Sequence, residues 1–265
     1  MAAAPHSIAD EVILETRGLT KKFQGFIAVN NLDLRVRRGH IHALIGPNGA
    51  GKTTVFNLLT KFLIPDHGQI LYRGEDITLA RPAQVARRGL VRSFQISAVF
   101  PNLTVLENVR ISLQRALATS FHFWKPQASL DVLHARALEL LGQMDLAALA
   151  GTRAAELPYG RKRALELATT LALGPELMLL DEPTQGLGHE DVNRVTALIR
   201  QAASARTVLM VEHNMQVVAR IADAITVLQH GQIIASGAYA EVARNPQVVE
   251  AYMGSPAGEL QGPPR

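Results

Sequence analysis

Gly46-Pro-Asn-Gly-Ala-Gly-Lys-Thr53 is the stretch of the sequence that decides the fold. It fits the pattern G-x-x-x-x-G-K-[ST], and it follows a short apolar run at 41–45 that has the length of a buried strand. Residues 52–62, which follow the loop, place apolar side chains at helical spacing. A glycine-rich loop between a strand and a helix turns backbone N–H groups inward, and the helix N-terminus adds its dipole. The stretch therefore predicts a binding site for nucleotide phosphates.

The residues of this loop have distinct expected roles. The Lys52 ammonium is expected to reach the β- and γ-phosphate oxygens of ATP, and the Thr53 hydroxyl is expected to bind Mg²⁺. ATP and Mg²⁺ are therefore the predicted cofactors. The other members of the predicted ATP-binding set in this stretch are Gly46, Pro47, Asn48, Gly49, Ala50, Gly51 and Thr54.

A second apolar run, at 177–180, ends in two acids, Asp181 and Glu182. A buried strand would carry Asp181 to its carboxyl end beside the phosphates, where the carboxylate can hold Mg²⁺ directly or through water. Glu182 is then placed to polarise an attacking water. Taken alone, such a run could equally end in a plain turn. The glycine-rich loop elsewhere in the chain favours the functional interpretation.

The composition excludes several classes of protein. The chain has 265 residues, of which 48% are hydrophobic and 19% charged, as in an ordinary globular protein. It has no cysteine, which excludes disulfides, cysteine-ligated zinc and thiolate catalysis. No apolar run reaches the roughly 20 residues that span a bilayer, so we expect the chain not to cross a membrane. The net charge of +4 suits an anionic partner, but the basic residues are scattered in pairs, and we expect no nucleic acid partner.

Strand and helix patterns alternate along most of the chain, which predicts the α/β class. Strands are expected at 12–17, 32–36, 69–73 and 207–211, with a hairpin formed by 225–228 and 232–235. Helices are expected from 105 to 149, with a break near 121–126, and from 160 to 173. We predict a mainly parallel sheet core with an antiparallel β region. The expected organisation is a tail at 1–11, a domain at 12–254 with a helical subdomain inserted at about 96–165, and a tail at 255–265.

Together with three further segments in the same order, these motifs resemble the ATP-binding cassette (ABC) family, and the resemblance covers about residues 12–254. Gln95, in Arg92-Ser-Phe-Gln95, is similar to the glutamine of the family's glutamine loop. Leu157-Pro-Tyr-Gly-Arg161 is similar to the signature L-S-G-G-Q, and His213 to the switch histidine. Phe23 resembles the aromatic residue that stacks on adenine.

The resemblance implies a P-loop NTPase fold and an ATP hydrolase. It implies that Glu182, His213 and Gln95 are catalytic, and that Thr53, Gln95 and Asp181 hold Mg²⁺. The signature residues that would act on ATP held by a partner subunit are Leu157, Tyr159, Gly160 and Arg161. From the residues alone, Gln95 could be a solvated loop side chain, His213 a helix cap and Phe23 part of the core.

Two segments depart from the family pattern. In the signature, Pro158, Tyr159 and Arg161 stand where serine, glycine and glutamine are usual. The loop after the catalytic acid ends in Gly188 instead of aspartate. Because the signature acts across a dimer, these changes concern the partner's ATP site and not the site of this chain.

Within the family, the chain most resembles the cassettes of branched-chain amino acid importers, through residues 94–108, the Leu-Pro-Tyr-Gly form of the signature, 211–215 and 245–254. This implies a motor for branched-chain amino acids or a related small polar solute, attached at the cytoplasmic face of the inner membrane. The implied partners are two transmembrane permease subunits, a paralogous cassette forming a heterodimer, and a periplasmic solute-binding protein.

Two alternatives stay open at this point. A non-transport ABC ATPase acting on ribosomes or DNA would usually show two tandem cassettes or a long coiled-coil insertion. A lipid or lipopolysaccharide exporter ATPase would be separated by the permeases that co-purify with it. For an importer, we expect the insertion to contact the permease through exposed apolar residues such as Val99, Phe100 and Leu103, unless these residues close the core between subdomains.

Overall fold

The structure of the protein is a computed structural model that describes residues 11–93, 99–116 and 128–253. Its strands are β1 (Val12–Phe23), β2 (Phe26–Leu32), β3 (Arg35–Arg37), β4 (Ile41–Ile45), β5 (His67–Tyr72), β6 (Glu75–Asp76), β7 (Leu90–Ser93), β8 (Leu177–Asp181), β9 (Thr207–Val211), β10 (Ala224–Gln229) and β11 (Gln232–Gly237). Its helices are α1 (Lys52–Leu59), α2 (Pro82–Arg87), α3 (Val105–Ala116), α4 (Ala128–Gln143), α5 (Tyr159–Ala172), α6 (His189–Ala203), α7 (Met215–Ile221), α8 (Tyr239–Val242) and α9 (Pro246–Met253).

The central sheet has the strand order β11-β10-β4-β9-β8-β7, and its neighbours are parallel except for the β10–β11 hairpin. Strands β4, β8 and β9 are buried at every position. Both faces of a parallel sheet are covered, which explains why these strands are nearly continuous apolar runs. One of the few polar residues in these strands, His42, lies 2.8 Å from the Thr226 hydroxyl, and burial lowers its pKa to about 4, so the imidazole is neutral near pH 7. The α/β class and the parallel core are confirmed.

Alternate residues of these strands enter two separate cores. Ile41, Ala43 and Ile45 of β4 face a core formed with α3 to α7, whereas Leu44 faces the opposite side. That opposite core also contains α1 and the antiparallel strands. Helix α1 therefore lies between the two sheets, with the glycine-rich loop at its start.

The antiparallel β region has the order β2-β1-β5-β6, with β3 pairing with β1. The predicted strand at 12–17 is too short, and the predicted strand at 32–36 is divided between the end of β2 at Leu32 and β3 at Arg35–Arg37. β1 continues to Phe23 and turns into β2 through Gln24 and Gly25, both at positive φ (42° and 87°) as in a two-residue hairpin. Strand β2 ends where strand 32–36 was expected to begin, because the Asp33 carboxylate accepts from the Gly18 N–H at 2.6 Å and bends the chain.

Helices α3 and α4 pack on each other and on α5, which confirms the helical character of this segment. The break expected near 121–126 lies outside the described residues. Helix α3 begins with a capping box, in which Thr104 and Glu107 exchange hydrogen bonds. Of the apolar residues expected on the surface here, Phe100 is exposed, but Val99 packs partly buried against the core and Leu103 is half-buried.

Three elements differ from the sequence-based prediction, and two of these differences have a physical reason. The helix after the glycine loop ends at Leu59 and not at 62, since Lys61 adopts a positive φ of 67°. Strand β7 and helix α2 were not predicted. Strand β7 contains a charged residue, Arg92, whose partner is distant in sequence, so its burial leaves no apolar pattern. Within the described parts of the chain, no helix is both long and apolar enough to cross a bilayer.

The start of β5 gives a test of the packing between the antiparallel strands. Gly68 has φ +88°, and a Cβ there would lie 2.4 Å from the Gly18 carbonyl oxygen; Gly74 has φ +76° with nothing within 4 Å. We expect Gly74→Ala to lower the free energy of unfolding by about 1 kcal/mol through backbone strain alone. Gly68→Ala should cost about 2–4 kcal/mol, because the strands must also separate. Urea unfolding of both variants measures this, and equal losses would contradict the close approach.

Candidate functional site

The glycine-rich loop is in close contact with one strand of each sheet. Gly46 has φ +148°, and a Cβ there would lie 2.1 Å from the Leu228 carbonyl oxygen in β10. Gly51 has φ +102°, and its Cβ would lie 2.4 Å from the Ala28 carbonyl oxygen in β2. Only glycine fits at these two positions, and this tight fit determines where α1 begins.

Lys52 occupies the first position of α1 and is almost fully buried. Its ammonium group donates to the Gly46 carbonyl oxygen at 2.7 Å and to the Pro47 carbonyl oxygen at 2.9 Å. The lysine charge and the N–H groups of the first helical turn therefore lie at one point, which is a binding arrangement for phosphate.

A pocket of about 370 Å³ opens above the loop. It brings together Phe23, Glu182 and His213 from distant parts of the sequence with most of the loop. Its lining residues are Phe23, Phe26, Ala28, Asn48, Gly49, Ala50, Gly51, Lys52, Thr53, Thr54, Glu182 and His213. Gly46 and Pro47 do not line the pocket, but their carbonyl oxygens accept from Lys52. Gln95 lies outside the described residues.

Phe26 is a pocket residue that the sequence analysis did not identify. It pairs directly with Phe23 across the β1–β2 hairpin, and the two rings are 62% and 42% exposed. The Lys21 ammonium lies 5.6 Å from the centroid of the Phe23 ring. Two exposed rings beside a phosphate pocket offer a flat apolar surface for a nucleobase. The two-residue turn was the signal that would have placed Phe26 opposite Phe23.

Glu182 and His213 form a direct pair, with His213 Nε2 at 2.6 Å from Glu182 Oε1. Glu182 immediately follows β8 and His213 follows β9, and these two parallel strands pair Asp181 with Val211. Glu182 has a positive φ of 49°, which is uncommon for a residue with a side chain. Its N–H donates to the Val211 carbonyl oxygen at 2.9 Å, which holds it in that conformation.

Glu212 holds the two loops of this pair together, and the sequence analysis did not assign it a role. Its buried carboxylate accepts from the Thr184 N–H at 3.0 Å and from the Thr184 hydroxyl, on the loop after β8. It also accepts from the N–H groups of His213 at 2.8 Å and Asn214 at 3.1 Å, on the loop after β9. The segment Val211-Glu-His213 shows an acid before the histidine, but not that its partner is Thr184.

Asp181 lies behind the pocket at the end of β8, with its side chain 1% exposed. Its Oδ2 accepts from Arg92, whereas its Oδ1 has no hydrogen-bond partner among the described residues. A buried carboxylate oxygen without a partner is costly, and Mg²⁺ prefers oxygen ligands. The described residues contain no cluster of three or more metal-ligating side chains. The unpartnered Asp181 Oδ1 has the chemistry of an Mg²⁺ ligand, and the Thr53 side chain lines the pocket.

The signature segment does not line the pocket of its own chain. Leu157 is buried, while Tyr159 is half-exposed and its hydroxyl lies 3.4 Å from the Gln185 carbonyl oxygen, on the loop after Glu182. Gly160 packs on α6, since a Cβ there would lie 2.2 Å from the Asp191 carboxylate carbon. Arg161 donates to the Asp145 carboxylate at 2.7 Å, so its charge is partly neutralised.

Comparison with protein families gives two matches. The family model described as "ABC transporter" matches residues 29–185. A second model, described as "Branched-chain amino acid ATP-binding cassette transporter", matches residues 232–258, at the C-terminal side of the described chain.

The chain is similar over most of its length to curated relatives. It is 39% identical to the high-affinity branched-chain amino acid transport ATP-binding protein BraF of Pseudomonas aeruginosa, over 91% of this chain and 98% of BraF. It is 37% identical to LivG of Escherichia coli K12, of the same description, over 91% and 98% of the two chains. Among solved structures, an ATP-binding cassette of an ABC transporter in its ADP conformation is 30% identical with a TM-score of 0.81, covering 92% of this chain and all of that one.

The Glu212 network gives a prediction about the site. We expect Glu212→Gln to lower the rate of ATP hydrolysis by about tenfold or more, since the amide offers an N–H group where four donors need acceptors and the Glu182–His213 pair loses its alignment. Nucleotide affinity should change less than about twofold, because the phosphate loop is untouched. The control is Glu190→Gln, an exposed acid in the first turn of α6. A hydrolysis rate equal to that of the control would mean that Glu212 has no part in positioning the pair.

Proposed function

The chain belongs to the ABC transporter family, and from this premise we propose that it is the motor subunit of an importer for branched-chain amino acids or a related small polar solute. Members of this family hydrolyse ATP to drive transport, so the chain is an ATP hydrolase. The observation that carries the choice of importer is the match of residues 232–258 to the branched-chain family model. The described part of this segment, residues 232–253, does not line the nucleotide pocket, and the match supports the importer over a non-transport or lipid-exporting ABC ATPase.

The proposed roles follow from the geometry of the pocket. The phosphate loop binds the phosphates of ATP, and Phe23 and Phe26 contact the adenine. Asp181 and Thr53 would hold Mg²⁺, with Gln95 as a further ligand implied by the family resemblance. Magnesium, when bound, neutralises charge on the phosphates. The proposed catalytic residues are Glu182, His213 and Gln95.

For hydrolysis, the hydrogen-bond partners of Lys52 and Glu182 would change when ATP and the attacking water bind. In the structure the Lys52 ammonium donates to two loop carbonyl oxygens, and phosphate oxygens of ATP can replace these acceptors. Glu182 Oε1 lies 2.6 Å from His213 Nε2. The same carboxylate can orient a water molecule for attack on the γ-phosphate, in line with the bond to the leaving ADP. His213 then fixes the rotamer of Glu182, and its position in the pocket lets it contact the γ-phosphate.

We also propose the domain organisation that the sequence indicates. It consists of a tail at 1–11, one ABC ATPase domain at 12–254 with a helical subdomain inserted at about 96–165, and a tail at 255–265. The packing of α3 and α4 on each other and on α5 supports the insertion. Buried residues of α5 share one core with α3, α4 and the central sheet.

ABC transporter subunits of this kind work with membrane permeases, and a groove beside α2 supports a docking place for one. This α2 groove has a volume of about 420 Å³ and is lined by Phe62, Val85, Ala86, Leu173 and Arg92, among others. Phe62 is 55% exposed. Leu79, which lies just before α2 in the sequence, is 82% exposed. A groove lined largely by apolar residues, one of them the exposed Phe62, suits an amphipathic helix, and we assign it to a cytoplasmic helix of the permease. Phe100, also exposed, is a further candidate contact.

The proposed assembly contains two transmembrane permease subunits, a paralogous cassette and a periplasmic solute-binding protein, with no nucleic acid. The chain would lie peripherally at the cytoplasmic face of the inner membrane. A heterodimer with a paralogue is supported by the signature segment, where Pro158 has no N–H to donate and Arg161 is paired with Asp145. The pocket of this chain, in contrast, holds the phosphate loop, Glu182 and His213 together.

We expect Glu182→Gln to separate nucleotide binding from hydrolysis. Affinity depends mainly on the phosphate loop, so it should stay within several-fold of the unmodified protein, while turnover falls by roughly 10² or more because the amide cannot accept a proton. Lys52→Ala should instead weaken ATP binding, because the phosphates lose a charged partner. Equilibrium nucleotide titration and turnover of the assembled transporter measure the two effects. Near-normal turnover of Glu182→Gln would overturn the assignment.

The heterodimer gives a separate expectation. The isolated chain should hydrolyse ATP slowly, and the paralogous cassette with the permeases should stimulate it at least several-fold, because an altered signature contributes fewer donors to the γ-phosphate, each worth about 1.5–3 kcal/mol when charge-assisted. The measurement is turnover of the isolated chain across protein concentrations, repeated with the paralogue added. High activity of the chain alone, with no gain from the paralogue, would indicate a working homodimer.

A further inference from the structure

Arg92 is an arginine of β7 with little exposure. It begins the segment Arg92-Ser-Phe-Gln95, but neither the sequence analysis nor the proposed mechanism gives it a role. Strand β7 runs parallel to β8, and Arg92 pairs in register with Leu179. Since alternate residues of a strand point to the same face, Arg92 shares its face with Asp181, two residues beyond Leu179. The two side chains are 9% and 1% exposed.

The guanidinium group of Arg92 joins three elements. Its Nη2 donates to Asp181 Oδ2, and its Nη1 donates to the Asn57 side-chain oxygen on α1 at 2.6 Å. Its central carbon lies 5.7 Å from the centroid of the Phe56 ring, also on α1. A planar group with fixed donor directions thus ties the phosphate-loop helix to the strand that carries Asp181. It leaves Asp181 Oδ1 without a partner among the described residues.

Arg92 also lines the α2 groove, together with Phe62, Val85 and Leu173. One side chain therefore contacts the groove on one side and the Asp181 carboxylate on the other. Three residues after Arg92 the chain reaches Gln95, which lies outside the described residues. A change in the position of the guanidinium group is accordingly a direct physical route between the groove and the nucleotide site.

We propose that Arg92 is a positioning residue that pairs with Asp181, competes with Mg²⁺ for that carboxylate, and so lets the occupant of the α2 groove adjust how strongly Asp181 holds the metal. The proposal rests on the proposed function for the role of Asp181 and for the permease as occupant. The physical basis is that two cations beside one buried carboxylate repel each other, and burial leaves this repulsion poorly screened. An occupant that draws the guanidinium group toward the groove relieves the repulsion.

The first test measures binding and not activity. A non-hydrolysable ATP analogue is titrated into the isolated chain with Mg²⁺ and with a chelator, and the ratio of the two affinities is the magnesium factor. In Arg92→Met we expect this factor to be larger than in the unmodified chain by at least about fivefold, because the competing charge is gone. Affinity in the chelator should stay within about twofold, since the phosphate loop is intact.

Two variants serve as controls. Arg87→Met removes the same charge from the same groove, but Arg87 is exposed and forms no ion pair with the described residues, so its magnesium factor should match the unmodified chain. Arg92→Lys keeps the charge and should also stay close to the unmodified value. If Arg92→Met does not fold, Arg92→Gln replaces it, because its amide can still donate to Asp181. An unchanged or smaller factor in the neutral variants would overturn the proposal and leave a purely structural ion pair.

The second test concerns the groove. In the transporter assembled with its permeases, the magnesium factor of the unmodified protein should rise relative to the isolated chain, and that of Arg92→Met should not. Equal rises in both proteins would overturn the link through Arg92. The proposed function fails in a different way: an isolated, unmodified chain that binds the analogue with no magnesium factor would remove Asp181 as a metal ligand, and a chain that does not bind permeases would remove the docking assignment.

Discussion

The structure depends on the burial of parallel strands β4, β8 and β9 on both faces. Parallel strands place their carboxyl ends at one edge, so the phosphate loop, Asp181 with Glu182, and His213 emerge side by side although they are far apart in the sequence. The close contact of Gly46 with β10 and of Gly51 with β2 then holds the loop at that edge. The site is therefore a consequence of how the sheet is packed, and its precision comes from the rigidity of a core closed on both sides.

Glu212, Asp181 and Arg92 are charged residues with little exposure near this edge, and each of them is hydrogen-bonded. The Glu212 carboxylate accepts hydrogen bonds from two loops, and the buried Asp181 carboxylate is paired with the Arg92 guanidinium group. Such groups cost free energy to bury, and well-packed apolar residues would often stabilise the fold more. Their presence at the ends of β7, β8 and β9 is explained by the chemistry of the pocket. Away from this edge, the buried His42 is neutral and serves the packing of the central sheet.

The chain contains a nucleotide pocket and a signature segment that does not line that pocket. Tyr159 contacts the loop after Glu182, so the signature and the catalytic acid are linked inside one subunit. If a second subunit places its own signature segment in this pocket, its binding would be coupled to the signature segment of this chain, which contacts the loop after Glu182. In the proposed dimer, this contact would link the nucleotide site of one subunit to the site of the other.

The amino-acid sequence predicts the phosphate loop and the run that ends in Asp181 and Glu182 from local patterns, because their chemistry depends on neighbouring residues, whereas His213 was assigned through the family resemblance. It also determined the α/β class, because strands buried on both faces are continuous apolar runs. Only the tertiary structure decided the β1–β2 hairpin with Phe26, the network of Glu212 with Thr184, and the Arg92–Asp181 pair. Each of these joins residues that are polar or irregularly spaced along the chain, so their burial leaves no periodic pattern and becomes visible only when parallel strands bring them together.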